Sequence, residues 1–178
     1  MLKKDFIRSR YILKRKKNYK EIEIKFFNPL INLLKKKKYA IKNIGIYYPS
    51  NFELDILKIV DILYFKKFNF LLPVINSKQN MNFYKWKKND ILFVNEHGFL
   101  EPFKSKKVTP DALIIPLLAF DKFKNRLGYG KGYYDKFLNE QKKILSIGVA
   151  FSFQKYHKLP VNIRDYKLDF VITEKGIE

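Results

Sequence analysis

The sequence predicts an α/β fold: a single three-layer α/β/α domain over residues 1–178, built on a mainly parallel sheet. Three observations carry that prediction. Strand-like and helix-like segments alternate along the chain, the pattern of successive βα units. Two apolar runs, 68–75 and 112–118, are too continuous for half-exposed strands and read as strands covered on both faces. The chain has 178 residues, 47% of them hydrophobic and 17% aromatic. That is the size of one domain, able to bury roughly 70% of its unfolded surface. No internal repeat or low-complexity linker divides it.

The elements follow in order. Residues 3–17 read as a charged amphipathic helix that turns Phe6, Leu13, Ile7 and Tyr11 inward. A second helical stretch, 21–38, is broken or restarted at Asn28-Pro29, because the residue before proline is pushed out of the helical region. Lys35 to Lys38 then lie at its C-terminal end, where cations suit the dipole. Residues 43–48 form a short strand stopped by Pro49. Ser50-Asn-Phe-Glu53 matches the S-x-x-E capping box and predicts a helix to about Lys67, carrying Leu54, Leu57, Val60, Leu63 and Tyr64. Strands are predicted at 68–75, 81–86 and 91–94. In the second half, 112–118 is a strand with an irregularity or an end at Pro116. A loop over 120–130 leads into a helix through Lys143, then a strand at 144–151 and a last strand at 168–173.

Composition excludes several classes of function. There is no cysteine, so disulfides, thiolate zinc sites and cysteine nucleophiles are ruled out. The longest apolar run, Ala112 to Phe120, is nine residues, about half of what a bilayer crossing needs. The N-terminal residues hold no stretch of signal-peptide length, so a cytoplasmic protein without a membrane partner is expected. The 37 basic and 17 acidic residues give a net charge of +20, which attracts polyanions of any kind. Yet 32 of those cations are lysine and only five are arginine. Base readout and bidentate phosphate contacts favour arginine, so no specific nucleic-acid partner is expected. With 20 isoleucines, 14 asparagines and four alanines, the lysine excess reads as a solvated coat written in A/T-rich codons.

Three of the seven glycines fall within five residues, in Arg126-Leu127-Gly128-Tyr129-Gly130-Lys131-Gly132-Tyr133-Tyr134-Asp135. Placed after a buried strand and opening a helix, such a segment brings backbone N–H groups and a positive dipole end up to an anion. Arg126 and Lys131 add two full charges. The pattern is neither G-x-G-x-x-G, since Tyr133 occupies the third glycine position, nor G-x-x-x-x-G-K-[ST]. A purely structural glycine turn is the competing reading, and with it a basic nucleic-acid-binding module. Asp135, one turn into the helix, either compensates the dipole or, beside bound phosphates, serves magnesium as a carboxylate ligand.

Pro110-Asp-Ala-Leu-Ile-Ile-Pro-Leu-Leu-Ala-Phe-Asp121, followed by Asn125 through Asp135, resembles the signature block of the 5-formyltetrahydrofolate cyclo-ligase family, also called 5,10-methenyltetrahydrofolate synthetases. The resemblance extends to Lys4-Asp-Phe-Ile-Arg8, to Tyr48–Glu53, to Leu72-Pro73 through Trp86, to Gly98-Phe-Leu-Glu101-Pro102, and to Asp165, Asp169 and Thr173-Glu174. It implies an ATP- and magnesium-dependent closure of 5-formyltetrahydrofolate to 5,10-methenyltetrahydrofolate, on a sheet similar to those of sugar-phosphate isomerases and CoA transferases. It also implies roles. Lys4 and Arg8 reach ATP, and Arg126, Leu127, Gly128, Tyr129, Gly130, Lys131, Gly132, Tyr133 and Tyr134 wrap its phosphates. Arg126 and Lys131 are the catalytic charge stabilisers, Asp135 and Asp165 hold the metal, and Tyr48 and Glu53 contact the folate.

Some of these residues carry a second reading. Glu53 is also explained by the capping box, and Lys4 and Arg8 by the surface coat. Tyr133, Tyr129, Phe120 and Trp86 offer aromatic surface for pterin or adenine, with a core position as the alternative for Trp86. Two positions depart from the family pattern: lysine at 131, often glycine, and Arg164, where histidine usually precedes the aspartate. The expected partners are the two small-molecule substrates, with the protein a monomer or weak dimer.

Overall fold

The order in which the chain lays down its strands differs from their order in the sheet, and that difference positions the site. The computed structural model describes residues 2–36, 40–76, 80–141 and 143–178. Its helices are α1 (Leu2–Asn18), α2 (Asn28–Lys35) and α3 (Tyr133–Glu140). The first strands are β1 (Asn43–Gly45), β2 (Asn69–Ile75), β3 (Met81–Trp86), β4 (Leu92–Val94) and β5 (Leu100–Pro102). After them come β6 (Ala112–Pro116), β7 (Ala119–Phe120), β8 (Arg126–Leu127), β9 (Leu145–Val149), β10 (Phe170–Thr173) and β11 (Gly176–Ile177). Among the described residues, seven strands form one sheet in the order β11-β10-β9-β6-β1-β2-β3. The five central strands run parallel, and β3 and β11 close the edges antiparallel. From β1 the chain first moves to β2 and β3, then returns to the other side of β1 with β6. The reversal leaves a crevice beyond the carboxyl ends of β1 and β6, where open α/β sheets bind their ligands.

Both faces of the sheet are covered, which is why its strands read as continuous apolar runs. Ile44, Phe70, Leu72, Ile114 and Ile147 pack one face against Phe27, Leu30 and Leu33 of the α2 region and against Ile56, Ile59 and Phe65. Leu71, Leu113, Ile115 and Val171 pack the other face against Leu138 of α3. The predicted three layers and mainly parallel sheet are present. No described helix is long and apolar enough to cross a membrane.

Several local expectations are corrected. On α1 it is Ile7 and Tyr11 that are buried, whereas Phe6 and Leu13 are 69% and 68% exposed. The stripe that packs continues from Ile7 and Tyr11 to Arg15 at i,i+4 spacing, and the Tyr11 hydroxyl anchors it by donating to the Lys155 carbonyl at 3.0 Å. The expected restart at Asn28-Pro29 is present, with Pro29 in the first turn of α2, but Asn28 is itself helical (φ −57°, ψ −43°) and not pushed out of that region. Of Lys35 to Lys38, Lys37 and Lys38 lie outside the described residues.

The largest correction concerns 50–67. No α-helix follows Ser50. Asn51 and Phe52 both adopt left-handed φ, 47° and 61°, so the backbone turns back on itself and Glu53 N–H donates to the Ser50 carbonyl at 2.8 Å. Two 3-10 segments follow, Ile56–Asp61 and Leu63–Lys67, the first capped by Asp55, whose carboxylate accepts from Leu57 N–H at 3.0 Å. The predicted loop after β6 is largely a hairpin, β7–β8, and two short strands, β5 and β11, escaped prediction. Helix α3 stops at Glu140, short of Lys143, whose own φ is 82°.

Asp121 pins that hairpin. It is 1% exposed and accepts from the backbone N–H groups of Phe123 at 2.9 Å, Asn125 at 3.1 Å and Leu159 at 3.0 Å, and from the Asn125 side chain at 3.0 Å. Asp121→Ala strands these donors and should cost at least about 3 kcal/mol of stability, measured by urea unfolding. Loss of less than about 1 kcal/mol would show that the hairpin does not depend on it.

Candidate functional site

Tyr47 and Tyr48 follow β1, Pro73 and Ile75 lie on β2, and Pro116 ends β6. Between them and the segment 126–135 opens a cleft of about 450 Å³. The residues to which the family resemblance gives a nucleotide, folate or metal role all line this one cavity. They are Lys4 and Arg8 from α1, Tyr48 and Glu53 after β1, the run Arg126 to Asp135, and Asp165 from the loop before β10.

The loop itself is clamped at its neck. Arg126, on β8, donates through Nη1 to Asp135 Oδ1 on α3 at 2.7 Å, and the same oxygen accepts Tyr166 N–H at 3.0 Å. The Arg126 side chain is only 5% exposed and lies over the Tyr134 ring, 5.9 Å from its centroid. Burial pushes the guanidinium below its usual value, and Asp135 opposes that shift and keeps the cation. Gly130 has φ 102°, a conformation that strains any side chain, and a Cβ there would meet the Arg8 guanidinium carbon at 3.0 Å and displace it slightly. Arg8 in turn donates from Nε to the Gly128 carbonyl at 3.0 Å and from Nη1 to Asp5. Gly132 opens α3 in the left-handed region with no side-chain cap, which leaves the start of the helix to a ligand.

The acidic residues are partly committed. Asp165 Oδ2 accepts Lys4 Nζ at 2.5 Å and Asn162 N–H at 2.7 Å. Asp135 and Asp165 thus each engage one oxygen with a cation and a backbone N–H; among the described residues their other oxygens make no hydrogen bond. No cluster of three metal-binding side chains occurs among the described residues. Such a set does not hold a bare ion. It does fit magnesium arriving with a nucleotide, since that ion commonly takes one or two carboxylates and fills its octahedron with phosphate oxygens and water.

Across the cleft, Glu53 is 6% exposed. Its Oε2 accepts Ser50 N–H at 3.0 Å, the reciprocal half of a capping box without the helix. Burial raises its carboxyl above the ordinary carboxylate range, with Ser50, Arg15 and Tyr129 acting in the opposite direction. Burial also raises Tyr129 and Tyr134, and Glu53 nearby adds to both shifts, so these phenols stay neutral. Tyr129 and Tyr133 line the cleft, whereas Trp86 and Phe120 do not. Trp86 is 4% exposed in the core under α2 and Phe120 is fully buried beneath α3, so neither offers a stacking surface to a ligand.

Two buried polar residues were not singled out for a role from sequence. Arg15 is 1% exposed and reaches Asn51, Tyr129 and Glu53. Glu101, on β5, lines the cleft and accepts Ile75 N–H at 2.9 Å and the Asn95 side chain at 2.7 Å. The signal for Arg15 was its rarity: in a chain that uses lysine by default, a retained arginine marks a site that needs a planar, multivalent donor.

Comparison with known proteins agrees with this geometry. The sequence pattern of the 5-formyltetrahydrofolate cyclo-ligase family matches residues 4–174. The 5-formyltetrahydrofolate cyclo-ligase of Mycoplasma genitalium is 36% identical over 135 residues, 75% of this chain and 73% of the relative. That of Haemophilus influenzae is 31% identical over 147 residues, 78% of each chain. Among solved structures, the 5,10-methenyltetrahydrofolate synthetase of Aquifex aeolicus is similar with a TM-score of 0.77 and 29% identity, covering 99% of this chain and 92% of that one. The Mycoplasma pneumoniae synthetase, at 24% identity and a TM-score of 0.73 over 96% and 98% of the two chains, shares the fold. A match from the first helix to the last parallel strand, on a chain whose conspicuous motif closes one cleft, leaves no ambiguity: the protein belongs to the 5-formyltetrahydrofolate cyclo-ligase family.

Proposed function

We propose that this chain, acting as one domain, converts 5-formyltetrahydrofolate and ATP to 5,10-methenyltetrahydrofolate, ADP and phosphate. The observation that carries the reading is the convergence of Lys4, Arg8, Arg126 and the glycine-rich loop with Glu53 and Tyr48 on a single cleft. A formamide oxygen is a poor leaving group. In this reading it attacks the terminal phosphorus of ATP, the bond from that phosphorus to the bridging oxygen breaks, and ADP departs. The bridge nitrogen of the folate then attacks the activated formyl carbon, the carbon–oxygen bond breaks, phosphate leaves, and the nitrogen gives up its proton. No side-chain nucleophile is needed, so catalysis comes from alignment and from charge stabilisation.

The chain's residues divide these tasks. The N–H groups of 128–132 and the start of α3 receive phosphate oxygens. Arg126, held rigid by Asp135, and Lys131, exposed with no described partner, offset charge on the moving phosphoryl. Lys4 and Arg8 bring two more cations from α1. Asp135 and Asp165 would hold magnesium arriving with the nucleotide, and the ion would supply charge neutralisation on the phosphates. Glu53 and Tyr48 contact the folate, and Tyr129 and Tyr133 flank the space between substrates.

The direct test is incubation with ATP, magnesium and 5-formyltetrahydrofolate, following the near-ultraviolet absorption of the methenyl product. An ATP-dependent rise is expected; its absence in folded protein would overturn the reading. Asp135→Asn should lower kcat by at least about 100-fold. It should also destabilise the protein, by about 2–4 kcal/mol, because it leaves the buried Arg126 guanidinium unpaired. Asp135 thus has a structural duty, pairing with Arg126, beside the two roles read from the sequence. Asp165→Asn, whose partner Lys4 is closer to solvent, should raise the magnesium concentration needed for half-maximal turnover while thermal stability changes little. An unaltered magnesium requirement would remove Asp165 from the metal site.

A further inference from the structure

Arg15 is the most buried cation among the described residues, and the mechanism above does not use it. Its Nη2 donates to the Asn51 carbonyl at 2.6 Å and to the Tyr129 hydroxyl, and its Nη1 lies 4.0 Å from Glu53 Oε1. The guanidinium also lies against the Tyr129 ring, 5.5 Å from its centroid. Its Nε–H has no partner among the described residues. The turn it grips is strained: Asn51 and Phe52 are consecutive non-glycine residues in the left-handed region, each costing about 1–2 kcal/mol. That conformation folds the chain back after Ser50 and aims Glu53 inward instead of starting a helix. Within the turn the Ser50–Glu53 contacts hold it, and Tyr19 and Lys16 pack on the Phe52 ring from outside; Arg15 supplies the buried hydrogen bond to the Asn51 carbonyl.

We propose that Arg15 is a positioning residue for the folate side of the cleft: from α1 it clasps the left-handed Ser50–Glu53 turn and the Tyr129 hydroxyl of the glycine-rich loop, and so sets the Glu53 carboxylate where the substrate meets it. The proposal rests on the reading of Glu53 as a folate contact. The groups facing Glu53 are Arg15 from α1, Ser50 from its own turn, Tyr47 following β1, Tyr129 from the loop and Tyr134 from α3. The three tyrosines are pushed up by burial and stay neutral, so Arg15 is the charge that favours ionised Glu53. Removing it lifts the Glu53 carboxyl further, and the acid limb of the pH profile moves to higher pH.

The test uses Arg15→Met, Arg15→Lys, Glu53→Gln and the Arg15→Met/Glu53→Gln double variant, each checked for folding by circular dichroism. Arg15→Met should raise KM for 5-formyltetrahydrofolate about tenfold or more, leave KM for ATP within about twofold, and shift the acid limb of kcat/KM for the folate upward. Arg15→Lys, which keeps the charge but not the planar fork, should fall between Arg15→Met and wild type. The double variant should be no worse than Glu53→Gln alone, because both lesions remove one contact. A folded Arg15→Met enzyme with wild-type KM and pH profile, beside an impaired Glu53→Gln, would overturn the positioning role alone. A Glu53→Gln enzyme with an unchanged folate KM would overturn the folate reading, and the proposal with it. Should Arg15→Met fail to fold, wild-type parameters in Arg15→Lys overturn the proposal equally.

Discussion

The ion pair between Arg126 and Asp135 closes the neck of the glycine-rich loop, and much of the rest of the molecule is arranged around it. The two residues are nine apart in sequence, one on a hairpin strand and the other on the first turn of a helix, and they meet at 2.7 Å with the arginine almost wholly buried. A buried pair of this kind contributes little net stability, since desolvation offsets the attraction. What it contributes is definition. With the neck closed, residues 127–134 have a fixed span to bridge, and left-handed glycines at 130 and 132 are the residues that can bridge it. The hairpin that presents Arg126 is itself fastened by Asp121, and Tyr166 N–H fastens Asp135 from the segment carrying Asp165.

Sheet topology supplies the second constraint. A polyphosphate needs backbone donors and a helix start, and a folate needs a largely apolar slot with a few placed polar groups. Reversal of strand order beside β1 puts the chain segments that leave β1 and β6 on either side of one crevice. The segment after β1 brings Tyr48 and Glu53 to it, and the hairpin and loop after β6 bring residues 126–135.

Charge in this protein works at two levels. The lysine coat gives the net charge of +20 and a field that draws anionic substrates to the surface. Chemistry at the cleft relies on geometry, and there Arg8 and Arg126 stand beside Lys4 and Lys131. Of the five arginines, Arg8, Arg15 and Arg126 all touch the glycine-rich loop, at Gly128, Tyr129 and the Arg126–Asp135 neck respectively. A planar guanidinium can hold a carbonyl, a hydroxyl and a carboxylate at once, which a lysine ammonium on its flexible stem does with less definition.

The sequence by itself determined the layer architecture and the glycine-rich turn that opens α3, because both depend on local or periodic signals. Continuous apolar runs announce strands covered on both faces, and clustered glycines announce a turn that needs left-handed backbone, as at Gly130 and Gly132. It misread what depends on contacts between distant segments. Ser50-x-x-Glu53 carries a helix-start signature, yet a grip from Arg15, 36 residues earlier at Asn51, accompanies a left-handed turn instead. On α1 two apolar stripes competed, and packing against Leu118, Leu127 and Leu159 chose Ile7 and Tyr11. Trp86 and Phe120 looked available for stacking until the sheet placed them inside. Tertiary structure alone decided these points, since a side chain's partner across the fold is set by which surfaces are buried together, and no spacing along the chain records that.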